Sequence, residues 1–188
     1  MTTALSIIDM QNDYFPGGAM EVAGAEAASA KAAELIESFR LNGKPVIHIR
    51  HIAARPGATF FLPGTPGSEI HASVRPHPGE PIFQKNFPNS FRETELLAHL
   101  RGAGITGLVI AGMMTHICID TTIRAAADLG FECFLAQDAC AARSLSFNGI
   151  CVPAESVQAA YLAALNGLFA KVMPAFELCS QACRTLVC

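Results

Sequence analysis

Short apolar runs alternate along the chain with stretches in which apolar residues return every three or four positions. Thr3 to Asp9, Pro45 to His51, Pro81 to Lys85, Gly107 to Gly112 and Glu132 to Ala136 predict strands, with Ala170 to Met173 as a weaker sixth. Several are apolar throughout, as strands covered on both faces are. Between them, Glu26 to Asn42 spaces Ala28, Ala32, Leu35, Ile36 and Phe39 for a helix with one buried face, and Gly43 follows as a left-handed cap. Ser90-Phe-Arg-Glu93 reads as a capping box that opens a helix with Leu96, Leu97 and Leu100 inward and Gly102 at its end. Thr115 to Leu129 predicts a helix stopped by Gly130, and Pro153 to Leu168 one begun by a first-turn proline. Strands joined by helical crossovers imply an α/β fold with a parallel sheet between two helical layers.

The stretch Ile52 to Gly79 breaks this rhythm. It holds five prolines and four glycines, has no helical period, and is longer than connecting loops usually are. Loops of that length carry function or an interface, so this one is expected to cover a site or to meet a neighbouring subunit. Residues 174–188 read as a C-terminal tail. Neither a repeat nor a low-complexity linker divides the 188 residues, and a single domain, 1–188, is expected.

Half of the residues are apolar, 15% are charged and the formal net charge is −3, which offers little to a phosphate backbone or an anionic membrane surface. Neither nucleic acid nor membrane is an expected partner. Pro, Gly or a charged residue interrupts every apolar stretch before it reaches bilayer length. Met1 to Met10 lacks the basic start and small-residue cleavage site of a leader. The seven cysteines, at 118, 133, 140, 151, 179, 183 and 188, include no Cys-x-x-Cys pair, which suits a reducing cytoplasm. No histidine lies near Cys179, Cys183 and Cys188 and their spacing fits no common zinc pattern, so they read as small apolar residues.

Three residues stand out as candidate chemistry. Asp9 ends an apolar strand, and the carboxyl ends of strands are where open parallel sheets bind ligands. Lys85 ends another. Cys118 follows the buried strand Leu108-Val-Ile-Ala-Gly112 within Met113-Met-Thr-His-Ile-Cys118, where a helix begins; a thiol there feels the positive end of the helix dipole, and free backbone N–H groups point at whatever binds. In the common doubly wound strand order, strands one and four are neighbours, which brings Asp9 and Cys118 to one crevice with Lys85 on its flank.

Over nearly its whole length the chain resembles the isochorismatase-like superfamily, also called cysteine hydrolases. The matching segments are Ile8-Asp-Met-Gln-Asn-Asp13 with Phe15, the Lys85 strand with Ser90-Phe91 and Thr94, and Gly112-Met-Met-Thr-His-Ile-Cys-Ile-Asp-Thr-Thr122 with Arg124, Ala126 and Asp138. The resemblance implies a three-layer Rossmann-like fold with six parallel strands. It also implies an Asp-Lys-Cys triad of Asp9, Lys85 and Cys118, a cis peptide between Met113 and Met114, and an oxyanion hole from the N–H groups of Met114 and Cys118. Phe15, Phe87, Met114 and Thr115 are implied substrate contacts, Gln11 and Asn12 shape the strand-end turn, and Arg124 and Asp138 hold the nucleophile's helix to the next strand end.

Because members of that superfamily dedicated to vinyl ether cleavage typically lack a cysteine at this position, the resemblance with Cys118 present implies C–N cleavage of a small amide-type substrate through a thioester, with no cofactor. Vinyl ether hydrolysis and a catalytically silent binding protein are the alternatives. Nicotinamidases of the superfamily hold a metal through an Asp-x-His arrangement after the second strand, but the segment here reads Val46-Ile-His-Ile-Arg-His-Ile52. His48 and His51 face opposite sides of an extended strand and cannot share an ion, so no metal is expected. His71 and His77, in the loop, read as surface residues. Relatives imply a homo-oligomer, a dimer or tetramer, which light scattering would test.

Overall fold

The computed structural model describes residues 2–184, without the side chains of Gln181, Cys183 and Arg184. Its main strands are β1 (Thr3–Ile8), β2 (Val46–His51), β3 (Ile82–Lys85), β4 (Gly107–Met113), β5 (Glu132–Ala141) and, after the hairpin strands β6 (Leu145–Phe147) and β7 (Ile150–Val152), β8 (Lys171–Met173). The six main strands form one sheet in the order β3-β2-β1-β4-β5-β8, every neighbouring pair parallel. The sheet is the six-stranded parallel one the resemblance implies. Five helices accompany it: α1 (Ala25–Leu41), α2 (Leu96–Gly102), α3 (Asp120–Asp128), α4 (Ala154–Leu165) and α5 (Ala175–Arg184).

Side-chain alternation in the strands builds two cores. Leu5, Ile7, Val109 and Ala111 face α1 and α5, while Ala4, Ile8, Leu108 and Ile110 face α2, α3 and α4. Burial on both faces explains why β1 and β4 read as unbroken apolar runs, whereas the edge strand β3 leaves Ile82 half exposed. Gly112, at φ 139, lies where a Cβ would run into the backbone of Ile8, so β4 approaches β1 more closely there than any side chain permits.

Two expectations are corrected. Residues 174–188 are not a tail throughout: α5 begins at Ala175 and buries Ala175, Leu178 and Ala182 against α1. Cys179, on this helix, is half-buried, while Cys188 and the side chain of Cys183 lie outside the described residues. Ser90 and Glu93 form no capping box, because Glu93 takes a left-handed turn conformation, Ser90 bonds to Thr122, and α2 starts only at Leu96. α2 does end at Gly102, and the left-handed residue that follows it is Gly104.

An antiparallel hairpin, β6-β7, stands apart from the main sheet. Its turn is Asn148-Gly149, both at positive φ, the dipeptide most suited to a two-residue hairpin. None of the helices described is long and apolar enough to cross a membrane.

Candidate active site

β1, β3 and β4 deliver their last residues to one carboxyl edge of the sheet. Asp9 follows β1 directly, at φ 53, and is fully buried. β4 ends at Met113, the Met113–Met114 peptide is cis, and a π-helical turn over Thr115–Ile119 leads into α3. That turn carries Cys118, only 4% exposed. Lys85 lies two strands from β1, and its four-carbon stem lets the ammonium reach the centre. Lys85 Nζ stands 2.7 Å from Asp9 Oδ2, with both side chains buried. The three residues expected to meet do meet.

The ammonium is the hub. Besides Asp9 it reaches the carbonyl oxygens of Phe87 and Pro88, each at 3.2 Å, and His51 Nδ1 at 3.3 Å. The Cys118 sulfur lies close by, within 4.8 Å of the Asp9 carboxylate and the His51 ring nitrogen. Burial works to lower the Lys85 pKa, but the Asp9 carboxylate, with the Cys118 sulfur beside it, outweighs burial and holds the group above its ordinary value. Lys85 is therefore a cation at any ordinary pH.

The thiol behaves otherwise than its helix-start position suggested. Burial and the Asp9 carboxylate push the Cys118 pKa up, with Lys85 pulling against them. The resting group is a thiol whose sulfur lies within 4.8 Å of the Asp9 carboxylate, and Asp9 Oδ1 accepts no hydrogen bond among the described residues. Such a pair suits proton removal during attack rather than a thiolate formed beforehand.

Sequence reasoning missed two residues beside this centre. His51 contributes a ring nitrogen within 4.8 Å of the Asp9 carboxylate and the Cys118 sulfur. Tyr14 is buried beside Cys118 and Asp9, and burial first, with those acidic neighbours adding to it, raises its phenol well above the usual value. A signal for His51 existed in its position: it ends β2 just as Asp9, Lys85 and Cys118 follow or end theirs.

Of the implied substrate contacts, Thr115 is buried with its hydroxyl unpartnered among the described residues, and Met114 is buried beside it. Phe87 is half-buried, with the Arg92 guanidinium 3.6 Å from its ring centroid. Phe15 is covered and stacks on His71 at 3.6 Å, which makes His71 a packing residue rather than a surface one; His77 is exposed. Arg124 and Asp138 do not tie α3 to β5, as the resemblance had implied. Arg124 pairs with Asp120 one turn back in α3, and Asp138 accepts the N–H of Ala175 at the start of α5.

The 52–79 loop closes over the carboxyl ends of β1 and β2. Gln11 Nε2 donates to the carbonyls of His51 and Ser68 while its Oε1 accepts the His51 N–H. Asn12 Nδ2 donates to the Pro66 carbonyl, and Asp13 Oδ2 accepts the N–H of Phe61. Gln11 and Asn12 thus fasten the loop as well as shaping their own turn. Phe61, buried by this, packs 4.6 Å from Tyr14 and 5.9 Å from His51, centroid to centroid.

A six-stranded parallel sheet with helices on both faces and polar residues gathered at its carboxyl edge places the chain among three-layer α/β proteins of Rossmann-like architecture. Within that class it belongs to the isochorismatase family of hydrolases, whose isochorismatase domain matches residues 3–175. The chain is 48% identical over 172 residues to the uncharacterized isochorismatase family protein YddQ of Bacillus subtilis, covering 92% of this chain and 96% of YddQ. It is 36% identical over 136 residues to a streptothricin hydrolase of Streptomyces noursei, covering 72% of this chain and 48% of that one. Among solved structures, an isochorismatase hydrolase from Oleispira antarctica superposes with a TM-score of 0.92 at 49% identity, covering 95% of this chain and 96% of that one. N-carbamoylsarcosine amidase from Thermoplasma acidophilum superposes with a TM-score of 0.78 at 27% identity, covering 93% and 97%.

Proposed function

We propose that this hydrolase cleaves the C–N bond of a small amide-type substrate, with Cys118 as nucleophile, Asp9 as general base and Lys85 as the fixed cation. The observation that carries the reading is the buried Lys85–Asp9 ion pair at 2.7 Å with the Cys118 sulfur within 4.8 Å of the same carboxylate. Buried charges are costly unless they serve one another or a reaction.

In this mechanism Asp9 takes the thiol proton as Cys118 Sγ attacks the substrate carbonyl. The N–H groups of Met114 and Cys118 bind the developing oxyanion, and Lys85 balances the negative charge of the site. Collapse breaks the C–N bond, the amine leaves with the proton from Asp9, and a thioester remains. Asp9 then deprotonates water, which attacks the thioester and returns the thiol. The names of two relatives, a streptothricin hydrolase and an amidase, support hydrolysis of this general type.

The site is read as metal-free. Asp9, His51 and Cys118 are a donor set of the kind a divalent ion takes, but the Lys85 ammonium already bonds Asp9 and His51 and fills the cation's role. A chelator is expected to leave turnover unchanged, and a stoichiometric ion in purified protein would refute this part.

A screen of small amides, ureides and carbamoyl compounds for released amine or ammonia, with Cys118→Ala as the blank, tests the chemistry. Intact-mass measurement should trap an acyl adduct on Cys118. Turnover by Cys118→Ala would overturn the reading, and pyruvate released from isochorismate would replace amide with vinyl ether cleavage.

A further inference from the structure

We propose that His51 is a positioning residue of the site: as a neutral imidazole with its proton on Nε2, it accepts a hydrogen bond from Lys85 through Nδ1 and so aims the ammonium between Asp9 and Cys118. The claim builds on the triad reading above and adds a fourth side chain to it.

Strand register places the two residues together. β2 and β3 are parallel with His51 opposite Lys85, so the side chains emerge next to one another, and Nδ1 meets Nζ at 3.3 Å. An ammonium only donates, so Nδ1 must hold a lone pair and the ring must be neutral. A neutral ring whose Nδ1 accepts from the ammonium carries its proton on Nε2.

The rest of the site holds the ring in place. The Gln11 amide clamps both backbone groups of His51, accepting its N–H at 2.7 Å and donating to its carbonyl at 2.8 Å. Gln11 is itself fully buried, and the Phe61 ring lies against the imidazole. A histidine with its backbone clamped at two points and its ring against a buried phenylalanine is a supported part, not a loose strand end.

Its use follows from counting protons. The ammonium has three, and five acceptors lie around it: Asp9, Cys118, His51 and the carbonyls of Phe87 and Pro88. While Cys118 is a thiol, His51 and the carbonyls occupy the ammonium; as the thiol loses its proton, one ammonium hydrogen turns to the sulfur. An imidazolium would instead set a second cation beside the first. Burial, helped by Lys85 and Arg55 and opposed by Asp9, holds the imidazole below its ordinary pKa and keeps it neutral. Asp9 from the β1 end, Lys85 from β3, Arg55 from the loop and Cys118 from the π-turn are the charged and titratable groups facing it.

Two measurements decide the point. Iodoacetamide alkylation of Cys118, followed by peptide mass spectrometry from about pH 5 to pH 9, reads the thiol without a substrate. His51→Leu is expected to slow it at least about tenfold at neutral pH, as loss of a hydrogen bond to a charge does, and to change the shape of the pH profile. His51→Gln, whose amide oxygen still accepts, should stay within about threefold and lose the imidazole's acid-side inflection. Unchanged profiles in both variants, or an equal fall in both, would overturn the proposal. Nitrogen-15 spectra of histidine-labelled protein should show His51 protonated on Nε2, with Lys85→Met releasing that preference; a proton on Nδ1 would also overturn it. If Cys118 of the unaltered protein alkylates no faster than the buried Cys133 and Cys140, the triad reading fails and the spectra alone decide the role of His51.

Discussion

Lys85 and Asp9 are each sustained by the other. Neither side chain has any exposure, and both charges survive burial because they stand 2.7 Å apart. Removing one partner strands the other charge, so Lys85→Met is expected to lower stability by roughly 3–5 kcal/mol in urea denaturation. The double substitution Lys85→Met with Asp9→Asn should regain much of that loss while remaining inactive. Such a result would separate the pair's structural cost from its chemical use. The raised Lys85 pKa fixes a second expectation. Because the group stays protonated beyond its ordinary range, the alkaline fall of kcat/KM should lie above about pH 10, where the ammonium at last loses its proton.

At the scale of elements, the site depends on how closely β4 approaches β1 and on the loop that covers both. Gly112→Ala would drive a Cβ into the Ile8 backbone and would hold a non-glycine residue at φ 139. It is expected to cost more than about 2 kcal/mol and to shift the segment from Met113 to Cys118, seen as lost stability together with slowed Cys118 alkylation. Asp13→Ala removes the acceptor of the Phe61 N–H and of the Ala19 N–H. Limited proteolysis should then cut within 52–79 faster, at a stability cost of about 1–3 kcal/mol for the unmet donors. The strands and α1 were legible because burial on one or both faces imprints a local period on the chain. The hairpin is signalled locally only by Asn148-Gly149, because its strands are three residues each and too exposed to imprint an apolar period. The start of α2 misled for a different reason: Ser90 and Glu93 match a local cap pattern, yet Ser90 is drawn instead to Thr122 on α3.

For the molecule as a whole, acid stability has a specific source outside the site. Arg40 on α1 grips Glu80 at 2.7 Å while His48 on β2 meets its other oxygen at 3.1 Å, fastening the end of the long loop to helix and sheet. Burial works to raise the Glu80 carboxyl, but Arg40, the His77 N–H and His48 bring it down to about 2. A folded-state value below the unfolded one, about 4.3, gives stability that is present above the unfolded value and lost as pH falls toward 2. Glu80→Gln should therefore flatten the fall of unfolding free energy between about pH 4.5 and pH 2. His48 and His51 do face opposite sides of β2, one toward Glu80 and the other toward Lys85. The sequence by itself determined the alternation of strand and helix and the three residues that end or follow β1, β3 and β4 at one edge, because both are written in local periods and in residue types at element ends. Tertiary structure alone decided that the thiol is protonated at rest, that Gln11, Asn12 and Asp13 clasp a loop some fifty residues away, and that a histidine shares the lysine's protons. Those outcomes depend on burial and on distances across the sheet, and neither exists until the chain has folded.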